Sequence, residues 1–138
     1  MELKHDGVYY SVSPWALCWD EDKSMEFIGL FRAMIQGIES NYFDVVAHPD
    51  RAFRRRKAFD ELEKQMTDEF IDAVISKNTI LLEKNYSSMQ RKNQYREEFW
   101  KMLPSTVGVI YGYDAHSIKE IEEIWDKTGG GLKLYEYI

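Results

Sequence analysis

The chain reads as an α/β fold in which parallel strands are joined by helical crossovers. Three observations predict this. Short apolar runs stand at 43–47, 79–83 and 107–111. Stretches with helical apolar spacing separate them. Polar residues follow each run: His48 after the first, Asn85 after the second, Asp114 and His116 after the third. Strands connected through helices pair in parallel, and such crossovers keep one hand, so all strand C-terminal ends face the same way. The four polar residues are therefore expected on one rim, where barrels and doubly wound sheets carry their chemistry.

The elements follow in order. Residues 8–12, VYYSV, suit a strand by their β-branched and aromatic content. Ser24 is a suitable N-cap for a helix to about Ser40, with Ile28, Phe31, Ile35 and Ile38 as its apolar stripe and Asn41 as a left-handed stop. Phe43 to Ala47 is expected as a short buried strand. A basic run, Arg51 with 54–57, precedes a short helix from Lys57 to Gln65. Thr67 or Asp68 then caps a second helix to Lys77, stopped by Asn78. Thr79 to Glu83 is the second buried strand, 87–93 a polar loop, and 94–103 a helix ended by Pro104. Val107 to Tyr111 is the third strand. Ser117 with Glu120 forms a capping box for a helix whose buried stripe is Ile118, Ile121 and Trp125. Residues 129–131 are glycines that end it, and 132–138 alternate like an edge strand.

Length and composition bound the function. At 138 residues the chain is expected to be a single domain spanning 1–138. Twenty aromatic residues (seven Phe, nine Tyr, four Trp) supply a packed core. A net charge of −6 argues against broad nucleic-acid binding, including a role for Arg51 to Lys57 as a nucleic-acid face. No apolar run approaches a membrane span, and the start, MELKHDG, lacks the apolar core of a signal peptide, so cytoplasm is the expected compartment. The single cysteine, Cys18, has no nearby base and reads as packing.

Each polar residue has two readings. Asp114 and His116 are a carboxylate and an imidazole of the kind that hold zinc, iron or manganese, or a loop-capping Asp beside an exposed His. His48 before Pro49 is a ligand or a satisfied turn residue. Arginines match phosphate oxygens bidentately, and Arg54 is the candidate for an inward role; Arg55, Arg56 and Lys57 read as a solvated face. Glu83 reads as a polar residue held by its neighbours.

Three segments in series, FDVVAHPDRAFRR, LLEKNYSS and VGVIYGYDAHS, resemble the second half of the PHP family, whose members read FDVLGHPDLIKR, LEINTSG and a strand ending in SDAHS. The resemblance covers roughly residues 42–125. It implies a partial (β/α) barrel of PHP type whose rim holds divalent metal (zinc, manganese or iron) and whose metal-bound hydroxide hydrolyses a small phosphate monoester, as in histidinol phosphatases. By position, it implies His48, Asp114 and His116 as metal ligands, Arg54 as the residue holding substrate phosphate, and Asn85 as a supporting rim residue at the substrate. The family opens with a His-x-His pair, and this chain has only His5, His48 and His116. Ser13, in YSVS, stands where the family has a further histidine. The expectation is therefore a chain lacking the N-terminal part of the barrel, with an incomplete metal site, either a phosphoesterase completed by self-association or a complementing chain, or a non-catalytic binding or structural remnant.

Overall fold

The computed structural model describes residues 2–5, 8–11, 24–91, 94–127 and 129. Strands β1 (Glu2–His5) and β2 (Val8–Ser11) form an antiparallel hairpin. Then come α1 (Ser24–Glu39), β3 (Val45–Ala47), a 3₁₀ turn (Pro49–Phe53), α2 (Glu61–Lys77), β4 (Leu81–Asn85), the single turn α3 (Tyr86–Met89), α4 (Glu97–Met102), β5 (Gly108–Gly112) and α5 (Ile118–Lys127). Strands β3, β4 and β5 form a parallel sheet in that order. The α/β architecture with helical crossovers is thus observed. Residues 12–20, with Ser13 and Cys18, and the alternating segment 132–138 lie outside the described residues.

Helix α1 ends where expected, with Asn41 left-handed at φ 64°. Its buried residues include Phe27, Phe31 and Ile38, so the stripe is shifted toward Phe27, and Ile28 and Ile35 are its half-buried flanks. The two short helices expected over 57–65 and 67–77 are one helix, α2. Asp60 caps it by accepting from the Glu63 amide at 3.0 Å, and acidic Glu61 and Glu63 suit the positive helix start better than Lys57 would. Thr67 starts nothing: it is fully buried on the face shared by Met66 and Phe70. Asn78 closes the helix at φ 60°. The expected polar loop at 87–93 begins as α3, capped by Asn85, whose side chain accepts from the Ser88 amide at 3.2 Å.

One side of the sheet carries the core. Phe27, Phe31, Phe53, Phe70 and Phe99 interlock with ring centroids 4.7 to 6.3 Å apart, and Ile38, Val74 and Leu82 fill around them. Such offset and edge-on pairs add to the burial of apolar area. Beside the rings lies an ionic cluster. Arg56 reaches Glu63 at 2.9 Å and Asp60 at 2.5 Å, and Arg96 reaches Glu63 at 3.5 Å. Both guanidiniums lie over phenylalanine rings, Arg56 on Phe27 and Arg96 on Phe53. Arg56 is therefore a buried structural residue, not part of a solvated face; the carboxylates of α2 draw it inward.

No helix among the described residues covers the other side of the sheet. Paired residues in parallel strands share a face, so Val45, Leu81 and Gly108 align, as do Ala47, Glu83 and Ile110. Val45, Leu81 and Ile110 are each 37–40% exposed, which corrects the expectation that residues 43–47 are buried. The stripe of α5 is corrected too: Ile118, Ile121 and Trp125 are 74, 55 and 58% exposed. Periodicity establishes that a helix is amphipathic; it does not supply the surface that covers it. No helix among the described residues is long and apolar enough to cross a membrane.

Candidate functional site

The three parallel strands end together. The register pairs Asn85 with Gly112, and His48 follows directly on Ala47. His48, Asn85, Asp114 and His116 are therefore gathered at one end of the sheet, as the strand pattern implies. Two of them have unusual backbones: His48 has φ 34° and Asp114 φ 54°. The other described non-glycine residues with positive φ, Asn41 and Asn78, follow helix ends. Left-handed residues away from helix ends concentrate at sites where a side chain must be aimed.

The residue at the centre is Arg51. It sits on the 3₁₀ turn begun by Pro49, and its amide donates to the His48 carbonyl at 3.1 Å. The guanidinium donates through Nε to Ser88 Oγ at 2.8 Å, and through Nη2 to Asp114 Oδ2 at 2.6 Å and Asn85 Oδ1 at 3.4 Å. Its Nη1 meets His48 Nε2 at 3.2 Å. A guanidinium has no acceptor, so Nε2 of His48 must offer its lone pair and the imidazole must carry its proton on Nδ1. Burial and the Arg51 charge hold the His48 pKa below its ordinary value. The hydrogen bond from Arg51 holds the Asp114 carboxyl below its ordinary value. Asp114 Oδ1 stands 3.6 Å from His116 Nε2.

Asn85 is buried and committed inside the rim. Its Oδ1 also accepts from the Ser88 amide, and its Nδ2 donates to Glu83 Oε1 at 3.1 Å. Glu83 has room for this because Gly112, diagonal to it on β5, bears no side chain: a Cβ there would collide with the Glu83 carboxylate. At the start of α5, Ser117 Oγ accepts from the Glu120 amide at 3.1 Å, while Glu120 accepts from the His116 amide, one residue earlier than a capping box would place it.

Two clefts flank the rim. The larger, about 470 Å³, is walled by Asp114, His116, Tyr86, Tyr113, Arg91 and Lys127, among others. The smaller, about 230 Å³, lies over β3 and α1, with Leu30, Met34, His48 and Arg54 on its wall. Arg51 lines both. Arg54 therefore opens on the cleft of His48 and not on that of Asp114 and His116.

Glu83 is the polar residue held by its neighbours that the sequence implies, whereas Arg51 and Ser88 are rim residues that the strand pattern does not single out. Arg51 had a visible signal: it occupies the position that reads leucine in the family motif HPDLIKR. Ser88 had a weaker one, its place three residues after the helix cap Asn85.

The implied metal tests poorly against this geometry. Asp114 and His116 are close enough to share one cation. His48 is not added to them, because its Nε2 lone pair is directed at Arg51. Among the described residues no group of three or more His, Cys, Asp or Glu side chains is disposed to hold a metal ion. The three-residue ligand set does not fit a metal as the rim is folded. Comparison with family models, with curated proteins and with solved structures gives no match.

Proposed function

We propose that this chain is part of a PHP-type phosphoesterase, histidinol-phosphatase-like, whose rim receives a small phosphate monoester. One observation carries the reading: residues far apart in sequence, each from a separate family-like motif, meet at the C-terminal ends of three parallel strands beside a cleft of ligand size. Arg51, Arg91 and Lys127 face that cleft as partners for a phosphate, beside the carboxylates of Asp114, Glu120 and Glu123 and a tilted Tyr86–Tyr113 ring pair. The barrel is the proposed context of the three-stranded sheet. Further strands and ligands would complete it. The open face at Val45, Leu81 and Ile110 supports association, since parallel sheets are ordinarily covered on both faces.

A second reading is a non-catalytic remnant that binds a phosphorylated ligand. The guanidinium between His48 and Asp114 favours it, because it occupies the Nε2 lone pair of His48 and one carboxylate oxygen of Asp114.

Hydrolysis of p-nitrophenyl phosphate with added manganese or zinc separates the two. Metal-dependent turnover that His116→Ala abolishes is the outcome expected of a phosphoesterase. Saturable binding of the ester without turnover is expected of the remnant. Neither turnover nor binding at millimolar ester contradicts both.

A further inference from the structure

We infer that the smaller cleft is a second binding site, for a small aliphatic carboxylate whose acid group meets Arg54 and Arg51 and whose tail lies against Leu30 and Met34. Among the described residues this cleft shares only Arg51 with the larger one, so the site is independent of the phosphoesterase reading.

The cleft has two unlike halves. Helix α1 supplies Leu30 and Met34, four residues apart and so stacked on one helix face, both half-buried against the core. Ala47, Pro49 and Ala52 continue this apolar surface. Opposite it in chemistry stand the two arginines. They are three residues apart along the 3₁₀ turn, whose period of about three residues aligns them on one edge. The Arg54 amide closes that turn by donating to the Arg51 carbonyl at 3.1 Å.

Charge decides the class of ligand. Among the described lining residues there is no carboxylate. The larger cleft differs, since it sets Asp114, Glu120 and Glu123 beside its cations. Arg51 is balanced by Asp114 and contributes a donor rather than net charge. Four of its five guanidinium N–H groups go to Ser88, His48, Asn85 and Asp114; the fifth is on Nη1, the nitrogen beside His48 of this cleft. Arg54 supplies the charge. Burial and the neighbouring Arg55 hold its pKa below the ordinary arginine value, with Glu26 opposing them and Arg51 adding to them. An arriving anion therefore relieves repulsion between like charges at this turn. The volume, about 230 Å³, is below the roughly 300–1,000 Å³ of pockets for drug-sized ligands, so the occupant is small. A phosphate would leave the α1 wall unused. A carboxylate with a short aliphatic tail uses both halves, the acid taking N–H donors and the tail leaving water.

Titration of the full chain with hexanoate at pH 7, followed by calorimetry and by the ¹H–¹³C signal of the Met34 methyl, tests the site. The expected result is saturable binding that shifts the Met34 signal and weakens about tenfold in Arg54→Gln. Hexanamide, which keeps the tail, and acetate, which keeps the charge, should each bind about tenfold more weakly than hexanoate. Met34→Glu, which puts a carboxylate into the cleft, should abolish binding, and it carries the comparison if Arg54→Gln does not fold. Absence of saturable hexanoate binding, or binding that the folded variants leave unchanged, overturns the inference. Inorganic phosphate binding as tightly as hexanoate overturns the carboxylate assignment.

Discussion

Two arginines five residues apart do different work. Arg56 is 4% exposed in its side chain and pairs with Glu63, which is fully buried between it and Arg96. Arg51 is 22% exposed and pairs with Asp114, itself 27% exposed, at the edge of a cleft. Both make short contacts to a carboxylate. The difference lies in what surrounds them. Around Arg56 the neighbours are the Phe27 ring, Ser24 and the carboxylates of α2 and its cap, so its charge is a requirement of the fold. Around Arg51 the neighbours come from the ends of three strands, and its charge faces a space that a ligand can enter. An ion pair's distance does not tell structure from function; its burial and the chemistry of its neighbours do.

The largest effect should come from the buried cluster. Glu63→Ala removes the buried carboxylate that Arg56 and Arg96 share, leaving Arg56 with Asp60 alone and Arg96 with backbone carbonyls, and loss of one partner of a buried pair costs about 3–5 kcal/mol. Urea unfolding measures it. A loss under about 1 kcal/mol would erase the distinction between the two arginines.

Next is a pH effect beneath the rim. Asp50 is buried, accepts from Trp100 Nε1 at 2.9 Å, and is pushed by burial from 3.8 up to about 6. Its folded pKa lies above its unfolded one, so the folded state holds this proton more tightly. The stabilisation is complete below pH 3.8 and is lost as pH rises through about 6. A shift of roughly two units corresponds to about 3 kcal/mol. Stability of wild type relative to Asp50→Asn should fall by that order between pH 3.5 and 7, measured by urea unfolding across the series; a flat difference would show that Asp50 is not desolvated.

At the rim, Arg51→Leu should cost only about 1 kcal/mol, as expected of a partly exposed pair with a few local hydrogen bonds. Thermal melting compares it directly with Glu63→Ala, and equal losses would make Arg51 a structural residue like Arg56. Smallest of all, Ile118→Lys on the open stripe of α5 should change stability by no more than about 0.5 kcal/mol. A loss above 2 kcal/mol in the same melting experiment would mean that the stripe is covered in solution.

Much of the framework was legible in advance. Alternating apolar runs and helical stretches announced a parallel sheet, and Asn41 and Asn78 marked helix ends through their tolerance of left-handed backbone. The gathering of His48, Asn85, Asp114 and His116 followed from strand direction alone. What stayed hidden depends on partners distant in the chain. Thr67 resembles a helix cap locally, and only the continuous packed face of α2 overrides it. Arg56 resembles its solvated neighbours until Glu63 and Arg96 are seen beside it. The α5 stripe has the period of a buried face, and no periodicity reveals that its covering surface is missing among the described residues. Arg51 belongs by sequence to a basic run, and only its partners on the rim, His48, Ser88 and Asp114, set it apart.

The most direct measurement is the tautomer of His48, read by long-range ¹H–¹⁵N NMR at neutral pH, where only three histidines need assignment. A guanidinium lodged between His48 and Asp114 requires an unprotonated Nε2 and a proton on Nδ1, with Nε2 losing its hydrogen-bonded shift in Arg51→Leu. A proton on Nε2, or an imidazole indifferent to the loss of Arg51, would contradict it.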